Sequence, residues 1–448
     1  MNDLYSSQRA MRNMRKAAMQ RGVVAVLDVG SSKIVCLILR FDGTDKVNET
    51  EGVGSLAGQT GFRVIGAATT RSRGVRFGEI SAMSETERAI RTALQSAQKM
   101  AQIRVDHVIA CFSGAEPRSY GLDGAVEIEN STVSEQDVAR VLSSCDVPDF
   151  GAGREVLHAQ PVNFALDHRS GLSDPRGQIG DQLSTDMHML TVDAAAVQNL
   201  AHCVRRCDLE LAGVASSAYV SGVSALVEDE QELGAACIDM GGGTTTLSVF
   251  LNGRFIYCDA IAVGGHHVTM DLARGLSTGL NDAERLKVLH GSVLAGATDS
   301  DDLVGVPSID PQDEDGLQQI PKAQLTRIIR PRIEETLELI RDRLARSGFS
   351  DAVGKRIVLT GGASQLNGVG ELARRVMSKN VRIGRPMGIK GMPEAAKGPA
   401  FSTAVGLMVY PQISQIEYLS NVQHQAPALM TGTGGTFQRL GQWFKDSF

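Results

Sequence analysis

Two segments of the chain present an acidic residue, a glycine turn and small hydroxyl side chains in the same order. The first reads LDVGSSK, and the second, much later in the chain, reads IDMGGGTTT. Glycines let a backbone come close to a ligand, and consecutive N–H groups form a pocket for anions. Two such turns facing each other would hold a polyphosphate from both sides. The candidate phosphate-binding residues are Asp28, Gly30, Ser31, Ser32 and Lys33 in the first turn and Gly241, Gly242, Gly243, Thr244 and Thr245 in the second.

The acidic residues of the two turns, Asp28 and Asp239, are candidate ligands for a metal ion. Mg²⁺ favours carboxylate oxygens and keeps several of its waters, so both side chains would hold it through water. Asp239 is also the candidate catalytic residue, because it would orient a water bound to Mg²⁺. Two unrelated glycine turns are the alternative interpretation, and the recurrence of the pattern favours phosphate binding.

Two further segments fit a nucleotide bound between these turns. In LTGGASQLNGV, a strand is followed by Gly361, Gly362 and Ala363 and then by a helix, an arrangement that suits a nucleotide packed against the turn. The segment is neither a Walker loop nor a Rossmann fingerprint, because both need other residue spacings. In NDAERLKVLHGS, Glu284 and Lys287 share one face of a helix. They would contact ribose hydroxyls, or else form an ordinary surface ion pair.

The elements that must position the two acidic residues are strands. Each acid follows one apolar run and precedes another, which predicts a β-hairpin with the acid at the end of its first strand. A chain of 448 residues is expected to form two or more domains. Its net charge of −6 argues against nucleic acid as the main partner. Seven cysteines without paired spacing, and no apolar run of roughly 18 residues, predict a cytoplasmic protein with reduced thiols.

Both ends of the chain carry patterns typical of membrane surfaces. Residues 1–21 contain five basic residues and one acid, which favours either a disordered leader or a helix with affinity for anionic lipid. Residues 436–448, placed on a helix, form an apolar stripe with a basic side chain on each flank. This predicts an amphipathic helix that binds lipid, with a groove on the protein itself as the alternative partner. The stripe and its flanks are Phe437, Leu440, Trp443, Phe444, Phe448, Arg439 and Lys445.

Taken in order, the nucleotide segments resemble those of the actin/Hsp70/sugar-kinase ATPase superfamily. LDVGSSK is similar to its first phosphate loop, IDMGGGTTTLSV to its second and LTGGASQLNGV to its adenosine loop, within a resemblance that covers roughly residues 22–410. It implies an α/β, two-lobed actin/Hsp70-like fold with ATP and Mg²⁺ between the lobes. GVASSAYVSGVSAL and PAFSTAVGLMVY would be the helices that link the lobes.

Within that superfamily, the chain resembles the FtsA family of bacterial cell-division proteins. The stretch RGVRFGEISAMSETERAIRT is similar to that family's passage into an inserted α+β subdomain, and HMLTVDAAAVQNLAHCV to its return. The resemblance implies a homopolymer that tethers FtsZ filaments, the Z ring, to the cytoplasmic face of the inner membrane at the division site and helps recruit later division proteins. The segment LTRIIRPRIEETLELI would bind the C-terminal tail of FtsZ through Arg327, Arg330 and Arg332. Arg332 is the first candidate, because its Arg-Pro-Arg stretch is similar to the family's binding helix. The alternative for each is a solvated surface arginine.

Two other functions of the same fold are alternatives: an actin-like ATPase of type IV pilus assembly and a metabolic kinase. The amphipathic tail argues against the first, and no motif identifies the base that the second would need. ATP hydrolysis is expected to be slow at most.

The expected division of the chain is a basic extension (1–21), the first lobe (22–82, 184–210 and 399–416), the inserted subdomain (83–183), the second lobe (211–263 and 331–398), its upper part (264–330), a flexible linker (417–435) and the amphipathic helix (436–448).

Overall fold

The computed structural model describes residues 6–41, 61–151, 153–309, 317–389, 391–414 and 417–418, so the predicted amphipathic helix lies outside the described residues. The strands are β1 Val23–Val29, β2 Lys33–Phe41, β3 Phe62–Arg71, β4 Val75–Arg76, β5 Glu79–Ile80, β6 His107–Phe112, β7 Arg118–Glu127, β8 Arg154–Leu166, β9 Arg169–Leu172, β10 Gln182–Asp193, β11 Glu210–Ser216, β12 Ala235–Met240, β13 Thr245–Leu251, β14 Arg254–Ile261, β15 Leu303–Pro307, β16 Leu317–Pro321, β17 Arg356–Thr360 and β18 Asn380–Ile383. The helices are α1 Ser6–Gln20, α2 Met83–Ala101, α3 Glu135–Ser143, α4 Ala194–Arg206, α5 Ser217–Ala225, α6 Glu228–Leu233, α7 Gly265–Leu276, α8 Leu280–His290, α9 Lys322–Arg346, α10 Val369–Met377 and α11 Ser402–Ile413.

Two five-stranded sheets form the two lobes, and they are built in the same way. The first has the order β11-β6-β1-β2-β3 and the second the order β14-β13-β12-β17-β18. In each, the central strand pairs antiparallel with the next strand of its hairpin and parallel with a later strand. Strands β1 and β12 are almost wholly buried, as expected of apolar strands covered on both faces. The predicted hairpins and the two-lobed α/β fold are confirmed.

Helices α5 and α11 pack against each other between the sheets, as the resemblance implies for the two linking segments. All nine residues of α5 are buried. A Cβ atom on Gly406 of α11 would overlap the carbonyl oxygen of Val220 in α5, so the close approach of the two backbones requires glycine there. The relative position of the lobes therefore depends on this helix pair.

The inserted subdomain has its own four-stranded sheet, in the order β7-β10-β8-β9, with α3 packed on it. Its predicted limits, 83–183, differ from the structure. Helix α2 packs on β2 and β3, β6 lies inside the first-lobe sheet, and β10 continues to Asp193. The separate sheet therefore spans residues 118–193. An apolar helix followed by an apolar strand looks the same in the sequence whichever sheet it joins.

The inserted subdomain also contacts the second lobe, at the edge strand β14. Cys258 N–H donates to Ser119 Oγ over 2.8 Å, and Ser119 Oγ donates to His188 Nε2 over 3.0 Å. His188 Nδ1 donates to the carbonyl oxygen of Phe255 over 3.0 Å. These bonds satisfy backbone groups that an edge strand otherwise leaves free. Burial lowers the pKa of His188 to about 3, with a smaller effect from His158, so the ring is neutral.

The upper part of the second lobe contains α7, α8, the β15–β16 hairpin and α9. Helix α9 runs without a break through Pro331. The predicted boundary at residue 330 is therefore wrong, because it falls inside this helix.

The N-terminal segment forms helix α1, which packs on β1, β6 and β11 of the first lobe. Met11 and Ala18 are buried, and the Arg15 side chain, which is 4% exposed, donates from Nη1 to the carbonyl oxygen of Ala212 over 3.1 Å. The Arg15 guanidinium also lies 5.4 Å from the centre of the Tyr410 ring. The disordered-leader interpretation is wrong for residues 6–20. The face of α1 that we expected to meet lipid or solvent is partly used by the protein itself.

A buried polar cluster lies where the described part of the chain ends. His158 Nδ1 donates to Glu417 Oε1 over 2.6 Å, and Ser216 N–H donates to His158 Nε2 over 3.0 Å. Tyr410 OH donates to the same carboxylate, and Tyr418 N–H donates to the carbonyl oxygen of Ala159 over 2.7 Å. Residues 417–418 are thereby fixed to strand β8 of the inserted subdomain.

No helix in the described ranges is long and apolar enough to span a membrane.

Replacing Arg15 by Ala should destabilise the first lobe. The change removes a buried hydrogen bond and leaves the carbonyl of Ala212 unpaired, a cost of about 1–3 kcal/mol. We expect a lower apparent Tm in thermal unfolding followed by circular dichroism. Lys16→Ala, on the exposed side of the same helix, is the matched control and should leave Tm within about 1 °C. Equal effects of the two changes would contradict the packing of α1 described above.

The neutral state of His188 predicts a pH dependence of stability. Its folded pKa lies below the unfolded value, so its stabilising contribution is complete above pH 6.5 and is lost as the pH falls towards 3. His188→Gln should reduce stability at pH 7 but flatten the acid dependence of the free energy of unfolding, measured by urea denaturation, by roughly 1 kcal/mol per pH unit. His168→Gln, at an exposed position in the same subdomain, should keep the wild-type slope. Parallel slopes for all three proteins would refute a neutral buried His188.

Candidate functional site

The two predicted turns have the same geometry and face each other between the lobes. Gly30 N–H donates to the carbonyl oxygen of Lys33 over 3.2 Å, and Gly241 N–H donates to that of Thr244 over 2.9 Å. A Cβ atom on Gly243 would lie 2.5 Å from Ser31 Oγ, so the backbone of the second turn lies against the Ser31 side chain of the first as closely as glycine allows. Together the turns border a cavity of about 150 Å³ whose walls include both acidic residues. The structure thus brings together the residues that the sequence assigned to two phosphate loops.

Thr245 is the exception among these residues. Its hydroxyl donates to the carbonyl oxygen of Val263 over 2.8 Å, and it does not line the cavity. Thr244 and Thr246 line it instead. Side chains alternate between the two faces of a strand, so Thr244 and Thr246 point one way and Thr245 the other. The assignment of Thr245 to phosphate binding is wrong.

The cavity holds two carboxylates and one ammonium group. Burial raises the pKa of Asp28 to about 6, although the positive charge of Lys33 partly opposes this shift. Burial also raises the pKa of Asp239 and lowers that of Lys33. Two buried carboxylates with one cation between them favour the binding of another positive charge. A divalent cation held through water between Asp28 and Asp239 fits this arrangement.

Each carboxylate is held in place by a hydrogen-bond donor. Cys111 Sγ donates to Asp28 Oδ1 over 3.4 Å, and Thr403 Oγ1, on α11, donates to Asp239 Oδ2 over 2.8 Å. In the described part of the chain, no group of three or more His, Cys, Asp or Glu side chains is suited to binding a metal directly.

The third predicted segment, residues 361–363, lies between the first cavity and a second one. Gly361 has φ +85°, and a Cβ atom there would overlap Asp239 Oδ1. Gly362 borders both the first cavity and an adjoining one of about 350 Å³, which Ala363 also lines. A strand-to-helix turn at this point thus lies beside the carboxylate of the second loop.

Glu284 and Lys287 lie in the wall of the second cavity. They form an ion pair of 2.6 Å, and Lys287 Nζ also donates to Thr269 Oγ1 over 2.8 Å and to the carbonyl oxygen of Gly265 over 3.0 Å. Burial acts to raise the pKa of Glu284, but the charge and hydrogen bond of Lys287 lower it below its usual value. The pair is therefore part of the site and not an isolated surface ion pair.

Sequence reasoning missed several residues that line the first cavity and come from separate parts of the chain: Ser113, Ser217, Thr246, Ala400 and Thr403. Ser113 follows β6, and Ser217 and Thr403 stand at the beginning of α5 and α11. Their only signal in the sequence is a small side chain at the end of a strand or the start of a helix. The hydroxyls of Ser217 and Thr246 are buried without a hydrogen-bond partner in the described structure. Unpaired polar atoms in a polar cavity fit the binding of a polar ligand.

A wider cleft of about 1010 Å³ opens beside the two cavities, between the first lobe and helices α7 and α8. Three contacts cross it. Arg71 Nη2 donates to Asn281 Oδ1 over 2.9 Å, and His266 Nε2 donates to the carbonyl oxygen of Ser31 over 3.3 Å. The Phe77 and His267 rings lie 5.8 Å apart. The cleft shares wall residues with both cavities.

The three arginines assigned to partner binding lie on α9 and differ in their contacts. Arg332 is 28% exposed and holds Asp271 of α7 through Nε at 2.7 Å and Nη2 at 3.2 Å. Arg330 forms a loose pair with Glu334, with 3.6 Å between Nε and Oε2. Arg327 is exposed. Arg332, which the sequence favoured most, is thus the one most engaged within the protein.

Comparisons with known proteins identify the family to which the chain is similar. The family model described as cell division protein FtsA matches residues 236–406, and the model of the SHS2 domain inserted in FtsA matches residues 114–191. The chain is 48% identical to cell division protein FtsA of Rhizobium meliloti (strain 1021), over 95% of each chain. It is 30% identical to cell division protein FtsA of Escherichia coli (strain K12), over 96% of this chain and 99% of that one.

Solved structures with low sequence identity share the fold. A chain of a PilM-PilN type IV pilus biogenesis complex superposes with a TM-score of 0.57 at 16% identity, covering 87% of this chain and 98% of that one. MreB5 of Spiroplasma citri bound to ADP superposes with a TM-score of 0.52 at 12% identity, covering 88% and 97%. At these identities the likeness concerns the architecture alone, and it agrees with the two-lobed fold described above.

Replacing Gly361 by Ala tests the geometry of the site. The new Cβ would overlap Asp239 Oδ1 and displace that carboxylate, in addition to the strain of a positive φ. We expect Mg²⁺-dependent binding of a fluorescent ATP analogue to weaken about tenfold or more. Gly348→Ala is the matched control, because Gly348 has φ +80° and open space around it. If both variants bind the analogue equally well, Asp239 does not contribute to the site as described.

Proposed function

Because the chain belongs to the FtsA family of cell-division proteins, we propose that it is an ATP-binding adaptor of the Z ring. It binds ATP with Mg²⁺ between its lobes, polymerises and binds the C-terminal tail of FtsZ. It tethers FtsZ filaments to the cytoplasmic face of the inner membrane at the division site, where it helps recruit later division proteins. The observation that carries nucleotide binding is the pair of equivalent glycine turns around Asp28 and Asp239.

In this proposal each part of the site has a role toward the nucleotide. The N–H groups of the two turns and Lys33 bind phosphate oxygens. Asp28 and Asp239 hold Mg²⁺ through water, and the metal, when bound, neutralises phosphate charge. Glu284 and Lys287 contact the ribose, and residues 361–363 border the nucleoside. The sizes of the two adjoining cavities, about 150 and 350 Å³, are in keeping with phosphates in the smaller and a nucleoside in the larger.

We propose that ATP acts as a conformational switch and is hydrolysed slowly at most. Asp239 accepts a hydrogen bond from Thr403 and would be occupied with Mg²⁺-bound water, and Asp28 accepts one from Cys111. Neither carboxylate is thereby placed as a dedicated base for an attacking water. Helix α11 carries Thr403, so the phosphate site is linked directly to the helix pair between the lobes.

The proposed contact with FtsZ lies on α9, and the structure changes the order of its candidate residues. Arg327 is exposed, and the pairing of Arg330 with Glu334 is loose, so both are available to an acidic peptide at little cost. Arg332 would have to give up its two hydrogen bonds to Asp271. We therefore propose Arg327 and Arg330 as the first contacts, with Arg332 as the residue that holds α9 to α7.

The membrane contact is proposed for residues 436–448, on the sequence pattern alone. One short amphipathic helix binds lipid weakly, and a filament that presents many copies binds strongly through effective concentration. The structure supports separate roles for the body and the tail, because Glu417 and Tyr418 fix the start of the linker to the body of the protein.

The pilus and kinase functions are less well supported. Identity to FtsA proteins reaches 48%, whereas the pilus protein shares 16%.

A reconstitution with anionic liposomes, FtsZ filaments and Mg-ATP tests the proposal. The wild-type protein should float with the liposomes and carry FtsZ with it. Trp443→Glu should abolish flotation. Arg327→Glu should leave flotation intact and weaken binding of an FtsZ tail peptide about tenfold, through the reversed charge.

Arg346→Glu is the control for Arg327→Glu, since Arg346 is exposed at the other end of α9. It should bind the tail peptide like the wild type. Flotation that is unaffected by Trp443→Glu would refute the tether, and equal peptide affinity of the two arginine variants would refute the contact on α9.

A further inference from the structure

The ammonium group of Lys33 lies over an aromatic ring in the phosphate site. Its Nζ atom is 3.5 Å from the centre of the Phe401 ring, well inside the distance of about 6 Å at which a cation is attracted to an aromatic face. Among the described residues, Lys33 Nζ forms no ion pair or hydrogen bond with Asp28 or Asp239. The ammonium group is thus held by an uncharged ring, although two carboxylates line the same cavity.

This position leaves both carboxylates open to another cation. Burial raises the pKa of Asp28 to about 6 and also raises that of Asp239, and the charge of Lys33 opposes each shift only in part. On either carboxylate, the ammonium group would form a buried ion pair and neutralise one of the two groups proposed to hold Mg²⁺. The position of Lys33 therefore bears on the affinity of the site for the metal.

Phe401 is held in place by contacts that do not involve the ammonium group. It is the last residue of a short 3-10 turn that precedes α11, and its side chain packs against the first-lobe core. The turn is fixed to the third nucleotide segment, because Gly361 N–H donates to the carbonyl oxygen of Pro399 over 3.1 Å. Two residues beyond Phe401, Thr403 donates to Asp239. One short segment thus supports the carboxylate of the second turn and the lysine of the first.

The geometry separates an electrostatic role of the ring from simple packing. A lysine often lays its methylene stem on an apolar side chain while its head group stays in a polar environment, and leucine would serve that purpose equally well. Here the charged nitrogen itself lies over the ring. An aromatic face attracts a cation at this position, and an aliphatic side chain does not.

We propose that Phe401 is a positioning residue that holds the Lys33 ammonium group away from Asp28 and Asp239, and so keeps both carboxylates available to Mg²⁺. This role rests on the proposed binding of ATP with Mg²⁺. In the nucleotide-free protein, the ring keeps the ammonium group inside the cavity without pairing it to a carboxylate. Phosphate oxygens carry charge and attract an ammonium group more strongly than a ring does, so the ring does not prevent Lys33 from binding phosphate.

The test measures how much Mg²⁺ strengthens ATP binding, as the ratio of the Kd in EDTA to the Kd in Mg²⁺. Phe401→Leu keeps an apolar side chain and removes the aromatic face. We expect its ratio to fall about fivefold, the size of one cation–π contact, because Lys33 then pairs with a carboxylate. Phe401→Tyr keeps the ring and should retain the wild-type ratio. A ratio for Phe401→Tyr as low as that for Phe401→Leu would contradict a role of the aromatic face.

A double-mutant cycle with Lys33→Met shows whether the ring acts through the ammonium group. This change keeps an unbranched apolar stem and removes the charge. In the Lys33→Met background, Phe401→Leu should leave the ratio unchanged, since no ammonium group remains to compete with Mg²⁺. A further fivefold fall in that background would show that Phe401 acts on the metal site by another route, and would overturn the inference.

Phe349→Leu is the matched control for the loss of a ring. Phe349 is 2% exposed in the second-lobe core and does not line the cavity, so the change should lower Tm and leave the ratio unchanged. A wild-type ratio in Phe401→Leu, with normal binding of Mg-ATP, would overturn the inference and leave the proposed ATP site standing. Failure of the wild-type protein to bind Mg-ATP would overturn the proposed function itself.

Discussion

Two buried carboxylates that share a cavity with one ammonium group, Asp28 and Asp239 with Lys33, are the constraint on which the structure depends. Each lies at the end of a central strand, opposite a residue of a parallel neighbour: Asp28 opposite Cys111 and Asp239 opposite Thr360. Burial raises the pKa of both carboxyl groups, and Lys33 offsets the cost only in part. Such an arrangement is stable only if the surrounding backbone holds it, and it favours a cation as the missing partner.

The two lobes meet at this point because α5 and α11 begin there. Ser217 at the start of α5 and Thr403 near the start of α11 both line the phosphate cavity, and the helices then pack against each other at Gly406. A ligand that moves Asp239 or Thr403 therefore acts on the helix pair that sets the position of the lobes. Closely packed interfaces change between discrete arrangements more readily than they deform, which suits a nucleotide-dependent switch.

The inserted subdomain contacts both lobes and is thus placed to sense their relative position. On the second lobe, Ser119 and His188 satisfy the edge of β14. On the first, His158 accepts from the N–H of Ser216 and donates to Glu417, where the described chain ends. Movement of one lobe against the other would strain one of these two polar junctions. The last two described residues, Glu417 and Tyr418, are fixed to the same subdomain.

The amino-acid sequence by itself determined the residue types of the site and the equivalence of its two turns. Local signals, namely an acid after an apolar strand followed by glycines, are enough to fix a turn and its anion-binding character. They predicted the equivalent loops around Asp28 and Asp239 and the nearby residues 361–363. They did not distinguish Thr245 from Thr246, because that choice depends on which face of β13 meets the cavity.

Only the tertiary structure decided which distant residues complete the site and which surface groups are free. Ser217 and Thr403 reach the cavity through the packing of two helices from separate parts of the chain, a contact with no local signature. Arg15 is buried and Arg332 is bound to Asp271 for the same reason. The sequence does not show whether a long charged side chain contacts solvent, a partner or another part of its own chain, because its environment is set by elements far away in the chain.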